Sequence, residues 1–148
     1  MTATLPQRTT TTTTPAAARP SVQARALAAT RVVASFLFVC HGFQGLFGAF
    51  GGIDGQGGAV PFGVWPGWWA SVIHLVAGLA VGLGLYTRAA ALLCSGAMAY
   101  AYFVVHQPTG LLPIANGGEP AALYSWIFLL VAVAGPGAYA LDRLRRKS

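Results

Sequence analysis

Residues 31–50 read RVVASFLFVCHGFQGLFGAF, and this stretch decides the class of the fold. From position 32 to position 50 it carries no charge, and Ser35, His41 and Gln44 are its only clearly polar side chains. A helix rises about 1.5 Å per residue, so a run of this length crosses most of a hydrocarbon layer about 30 Å thick. Similar apolar stretches follow at 69–86, 89–106 and 121–141. The composition agrees: of 148 residues 55% are hydrophobic and 8% charged, with a mean hydropathy of +0.62. A soluble domain carries about 25% charge. A soluble four-helix core would also show a polar stripe along each helix, and these stretches are apolar or small nearly all round. The expectation is an all-α integral membrane protein, an antiparallel bundle of four transmembrane helices within residues 26–148. Ahead of it, MTATLPQRTTTTTTPAAARPSVQAR (1–25) has too little apolar bulk to offset the entropy of ordering and reads as a disordered cytoplasmic tail.

All nine basic residues fall on one side of this topology. Arg8, Arg19, Arg25 and Arg31 precede the first span, Arg88 joins the second to the third, and Arg143, Arg145, Arg146 and Lys147 follow the fourth. The loops at 51–68 and 107–120 hold no Lys or Arg, but do hold Asp54 and Glu119. Cationic loops stay on the cytoplasmic side. Both termini are therefore expected in the cytoplasm, with the chain multi-pass in the membrane and Trp65, Trp68 and Trp69 at the outer interface. Positions 32–50 are longer than a signal-peptide core and read as a retained anchor. Topology thus accounts for the net charge of +6. No nucleic-acid partner is expected, because the basic residues are not gathered with aromatics on one surface. Cys40 and Cys94 both lie in apolar runs, which excludes a disulfide scaffold and a thiolate zinc module, so no metal is expected.

Small residues recur inside the spans. Gly78 and Gly82 sit about one turn apart and mark a helix interface, as do Gly96 and Ala97 in the third span. Pro136, between Gly135 and Gly137, is expected to kink the end of the fourth. No Asp, Glu, Lys or Arg lies within the four spans, which leaves histidine as the strong ionisable candidate in the membrane. Counted as helical rise from each cytoplasmic end, His41 lies ~14 Å deep, Gln44 and His74 ~18 Å, Tyr102 ~20 Å and His106 ~26 Å. His41 and Gln44 share a face with Gly45 and Gly48; His74 shares one with Gly78 and Val81. If those faces meet, Gln44, His74 and Tyr102 form a polar layer, with His41 beneath and His106, Glu119 and Tyr124 at an outward mouth. Apolar walls with a few hydrogen-bonding groups suit the head group of a lipid-soluble quinone better than an ion. The plainer alternative is that these side chains bond neighbouring helices or backbone carbonyls. Bis-histidine haem is disfavoured, since no CxxCH box or second matched pair is present.

Taken together, Arg31, HGFQGLFG (41–48), Gly78, Gly82, LYTR (85–88), Met98, His106, NGGEPAALY (116–124) and GPGAYALD (135–142) resemble the DoxX family of small four-helix bacterial membrane proteins. The resemblance covers essentially everything after the tail. It implies a subunit of a quinone-linked oxidoreductase acting on reduced sulfur, or the membrane anchor of a detoxifying redox complex. His41, Gln44, His106 and Glu119 occupy matching motif positions, whereas His74 rests on depth alone. Gly78, Gly82, Arg88, Pro136 and Asp142 read as structural. The family often has lysine one place after the glutamine of its HGxQ motif; Gly45 stands there in this chain. With no nucleotide fingerprint, the chain is expected to take electrons from a redox partner protein. A homodimer is considered because four short helices enclose little space. The alternatives are a permease or channel for a small neutral solute and a purely structural scaffold.

Overall fold

The computed structural model describes residues 19–145. Most of the stretch read as a tail, together with Arg146, Lys147 and Ser148, lies outside the described residues. Helix α1 spans Val22–Phe47. Its start is set by Ser21, whose hydroxyl accepts the Ala24 N–H at 3.2 Å, and no proline interrupts it. Gly48, at φ +67°, turns the chain out of the helix. The helix therefore begins inside the stretch expected to be tail and well before position 32. One consequence is a correction: Arg31 is not a flanking charge but a helical residue, only 1% exposed.

Helix α2 spans Gly67–Leu83 and α3 spans Thr87–Tyr100, continued by a π-helical stretch over Ala101–His106 and a 3-10 turn over Gln107–Thr109. The short α4 (Pro113–Asn116), α5 (Glu119–Ala134) and α6 (Asp142–Arg145) complete the chain, and the described residues contain no strand. Two helical stretches, Val22–Phe47 and Thr87–Thr109, are long and apolar enough to cross a membrane; α2 and α5 are apolar but shorter, at 17 and 16 residues. The four similar spans of the sequence reading thus become two long helices and two short ones. The expected kink at Pro136 is instead a helix end. Gly135 adopts φ +94° and Pro136 has no N–H to offer, so α5 stops at Ala134 rather than at 141.

Glycines set the closest packing. A Cβ on Gly42 would come within 2.7 Å of the Leu75 backbone nitrogen, and one on Gly45 would overlap the Ser71 hydroxyl. Across the same interface Gly78 approaches Val39 and Phe38, and Gly82 approaches Ser35. Rising numbers in α1 meet falling numbers in α2, so these two helices run in opposite directions. In lipid, such contact supplies the dispersion that a hydrophobic driving force cannot. Gly96 departs from expectation: among the described residues nothing lies within 4 Å of its Cβ position, so it faces outward.

The core gathers Phe38, Val81, Ala91, Cys94, Met98, Phe128 and Val131. The Ser95 hydroxyl donates to the Ser125 carbonyl at 2.9 Å and ties α3 to α5. Helix α1 packs mainly on α2, and α3 on α5, while α1 and α5 touch far less. Phe38 bridges that open seam, its ring 4.7 Å from Phe128 and 5.3 Å from Tyr124. Large apolar side chains point outward on every long helix, among them Phe36, Phe43, Val76, Leu79, Leu92, Phe103, Trp126 and Leu130. An outside this apolar matches lipid rather than water.

Candidate functional site

The molecule has two polar ends. One, the loop end, contains the 48–66 and 107–118 connections; the other, the terminal end, contains the start of α1, the α2–α3 turn and the segment after α5. Toward the loop end, His41 from α1 and His74 from α2 come together with ring centroids 6.5 Å apart, and Tyr124 from α5 stands 6.1 Å from His41. Phe38 lies against His74 at 4.2 Å. At these centroid separations the rings touch edges without hydrogen bonding one another. His74 Nε2 is buried and has no hydrogen-bond partner among the described residues, whereas His41 is exposed at the α1–α5 seam. Below this cluster the seam opens as a groove of about 720 Å³, lined by Val33, Ala34, Leu37, Leu123 and Ile127, with Tyr124 and Glu119 on its α5 side.

Other candidates are engaged elsewhere. The Gln44 amide donates to the Gly52 carbonyl at 2.9 Å and, with the Val60 N–H bonded to the Gly45 carbonyl at 2.7 Å, pins the first loop to the end of α1. Tyr102 donates to the Leu111 carbonyl at 3.3 Å. His106 Nδ1 lies 3.1 Å from the Asn116 carbonyl. A carbonyl can only accept, so Nδ1 carries the proton. Asn116 in turn donates to the Gly110 carbonyl and accepts from the Gly118 N–H, at 2.7 and 2.8 Å. A Cβ on Gly118 would come within 2.8 Å of both His106 and Tyr102, which is why the NGGEP segment needs a bare backbone there. The expected layer of Gln44, His74 and Tyr102 is thus divided: His74 meets His41, which in turn meets Tyr124, while Gln44, Tyr102 and His106 hold loops. Tyr124 is packed against Phe38, inside the mouth where it was placed. Glu119 is exposed at the first turn of α5.

At the terminal end Asp142 does work that its motif alone does not reveal. Its carboxylate accepts from the Tyr86 N–H at 2.8 Å, the Thr87 N–H at 2.9 Å and the Thr87 hydroxyl at 2.7 Å, capping α3 from outside the helix. Burial would raise this carboxyl, but the Thr87 hydroxyl, the Thr87 and Tyr86 amides and the Arg145 charge outweigh it and hold it below the usual carboxylate range. Arg88 lies beside Gly135 at the end of α5, where a cation is favoured by the exposed carbonyls. Arg31 sits against Gly84 and Ala140, at the C-terminal end of α2. Its Nε and Nη1 are buried without a partner among the described residues. Sequence reasoning missed this residue as an interior one; the position of Arg31 within an unbroken helix was the available signal.

Large apolar side chains turned outward on every long helix define the class, a helical membrane protein. A sequence model of the DoxX family matches residues 26–107, more than half of the chain. A Haemophilus influenzae protein described as uncharacterized is 42% identical over 121 residues, covering 78% of this chain and 87% of that protein. No solved structure matches. The chain belongs to the DoxX family.

Proposed function

We propose that this chain is a multi-pass protein of the bacterial inner membrane, a subunit or anchor of a redox complex that holds a quinone at His41, His74 and Tyr124. The observation that carries this reading is the buried His74 Nε2, without a hydrogen-bond partner among the described residues, in a ring cluster with His41 and with Tyr124, which also lines the apolar groove. A buried polar atom without a bond costs about 1–3 kcal/mol, so a ligand able to satisfy it is favoured. In this reading the quinone ring lies against His41 and Tyr124, with His74 behind them, and its apolar tail lies along the α1–α5 groove. When bound it supplies an acceptor for two electrons and two protons. His41 and Tyr124 hold protons at the ring, and Glu119 on the groove rim exchanges them with the aqueous side. Electrons come from a partner redox protein. Haem is not part of this reading, since the sequence carries no CxxCH box and no second matched histidine pair.

Orientation follows from charge. The arginines at the terminal end and the exposed Trp65 and Trp69 at the loop end support both termini being cytoplasmic. The outward Gly96, in a shallow α2–α3 groove with Ala97, Trp69 and Tyr100, supports docking of a partner helix or a second copy there. The test is extraction of quinone from the protein purified in mild detergent, measured per chain against an unrelated four-span protein. About one quinone per chain is expected, falling about tenfold in His74→Ala and His41→Ala with the loss of one good hydrogen bond. Wild-type quinone no higher than in the control sinks the quinone reading and leaves a structural scaffold.

A further inference from the structure

We propose that the terminal end carries a second site, one for a phosphoryl anion, between the α2–α3 turn and the segment that follows α5. A cavity of about 860 Å³ opens there, walled by Gln23, Thr87, Arg88, Asp142, Arg143 and Arg145. Three guanidinium groups and one carboxylate give these walls a net charge of +2. The carboxylate is partly committed: both Asp142 oxygens accept bonds from Tyr86 and Thr87 to cap α3, and its charge is also shared with Arg145, which leaves the walls net positive. Two of the cations are positioned by the fold. The Arg145 guanidinium lies over the Tyr86 ring, 4.1 Å from its centroid, and Arg88 is beside Gly135. Behind the α2–α3 turn the buried Arg31 adds a further charge against Gly84.

Planar guanidinium forks bond best to groups that offer several oxygens in a tetrahedral or planar array, and phosphoryl oxygens meet three such forks better than one carboxylate does. The same chemistry is carried by an anionic phospholipid head group and by free phosphate. This site lies at the opposite end from His41 and His74 and does not depend on what binds there.

The full-length protein, purified in mild detergent, is titrated with phosphatidylglycerol, with diacylglycerol as the phosphate-free control, and with inorganic phosphate, and binding is read by native mass spectrometry. Phosphatidylglycerol is expected to bind at one site per chain and diacylglycerol is not. Each arginine removed from the cavity should weaken binding about fivefold, the worth of one cation near an anionic surface. Arg88→Gln with Arg143→Gln tests this against Arg19→Gln with Arg25→Gln, which removes the same charge away from the cavity walls. Arg143→Gln alone leaves the contacts of Arg88 and Arg145 in place and serves if the double variant does not fold. Inorganic phosphate that binds with the same arginine dependence identifies a soluble anion as a ligand; phosphatidylglycerol binding without it identifies the lipid. Equal losses in both double variants, or no binding of either probe by the wild type, overturn the site.

Discussion

Asp142 reaches back 55 positions to hold the first turn of α3, and nothing local to either segment announces that bond. Its replacement by alanine removes three hydrogen bonds at a helix start, and the expected loss is about 1 kcal/mol, read as a lower melting temperature in detergent. The effect depends on pH with a definite sign. The folded carboxyl titrates below its unfolded value, so its stabilisation is fully present above about pH 4 and disappears as the pH falls through the folded value. Wild-type protein should therefore lose more stability between pH 6 and pH 3 than Asp142→Asn. Equal losses would mean that the carboxylate's charge is immaterial to the cap. Arg31 shows the same limit of legibility from the other direction. Its sequence neighbours suggest a flanking charge, and only the approach of Gly84 and Ala140 from other segments buries it.

At the scale of helices, glycine has opposite meanings in α1 and α3. Gly42→Ala would push a methyl toward the Leu75 backbone, which cannot swing aside as a side chain can, so a loss of about 1–3 kcal/mol is expected. Gly96→Ala meets open space among the described residues and gains helix propensity, so the isolated protein should be unchanged or stabilised by up to about 1 kcal/mol. Melting curves of the two variants decide between these signs; a stable Gly42→Ala would contradict the tight α1–α2 contact. Gly96→Leu adds a functional reading. It should leave the isolated chain folded yet reduce co-purification of the partner helix or second copy proposed for this groove. Counting helical rise grouped His74 with Gln44 and Tyr102 and put His41 about 4 Å beneath them, whereas the packing of α1 on α2 sets the His74 ring near that of His41. What counting could not supply was the competition for the other polar groups. Gln44 is drawn to the Gly52 carbonyl, and Tyr102 and His106 to carbonyls at Leu111 and Asn116, because unpaired loop carbonyls take whatever donors lie near them.

For the whole molecule, the one-sided distribution of Lys and Arg makes a prediction about sidedness. Cysteine placed at Asp54 should react with a membrane-impermeant maleimide in intact cells, and cysteine placed at Arg143 should react only after the cells are opened. The wild-type signal from Cys40 and Cys94, both within helices, serves as the blank. The reverse pattern would invert the protein in the membrane and exchange the sides proposed for its two polar ends. The sequence by itself determined the helical class, the approximate places of the apolar segments and the separation of the basic end from the end that holds Asp54 and Glu119. These are properties of composition along a single segment, and hydropathy reports them directly. Tertiary structure decided where α1 begins relative to the buried Arg31, which end of α3 Asp142 caps, and which polar groups are left for a ligand. The reason is physical: close glycine contacts such as Gly42 on Leu75 fix the register between helices, and register, which no single segment encodes, decides which distant donors and acceptors meet.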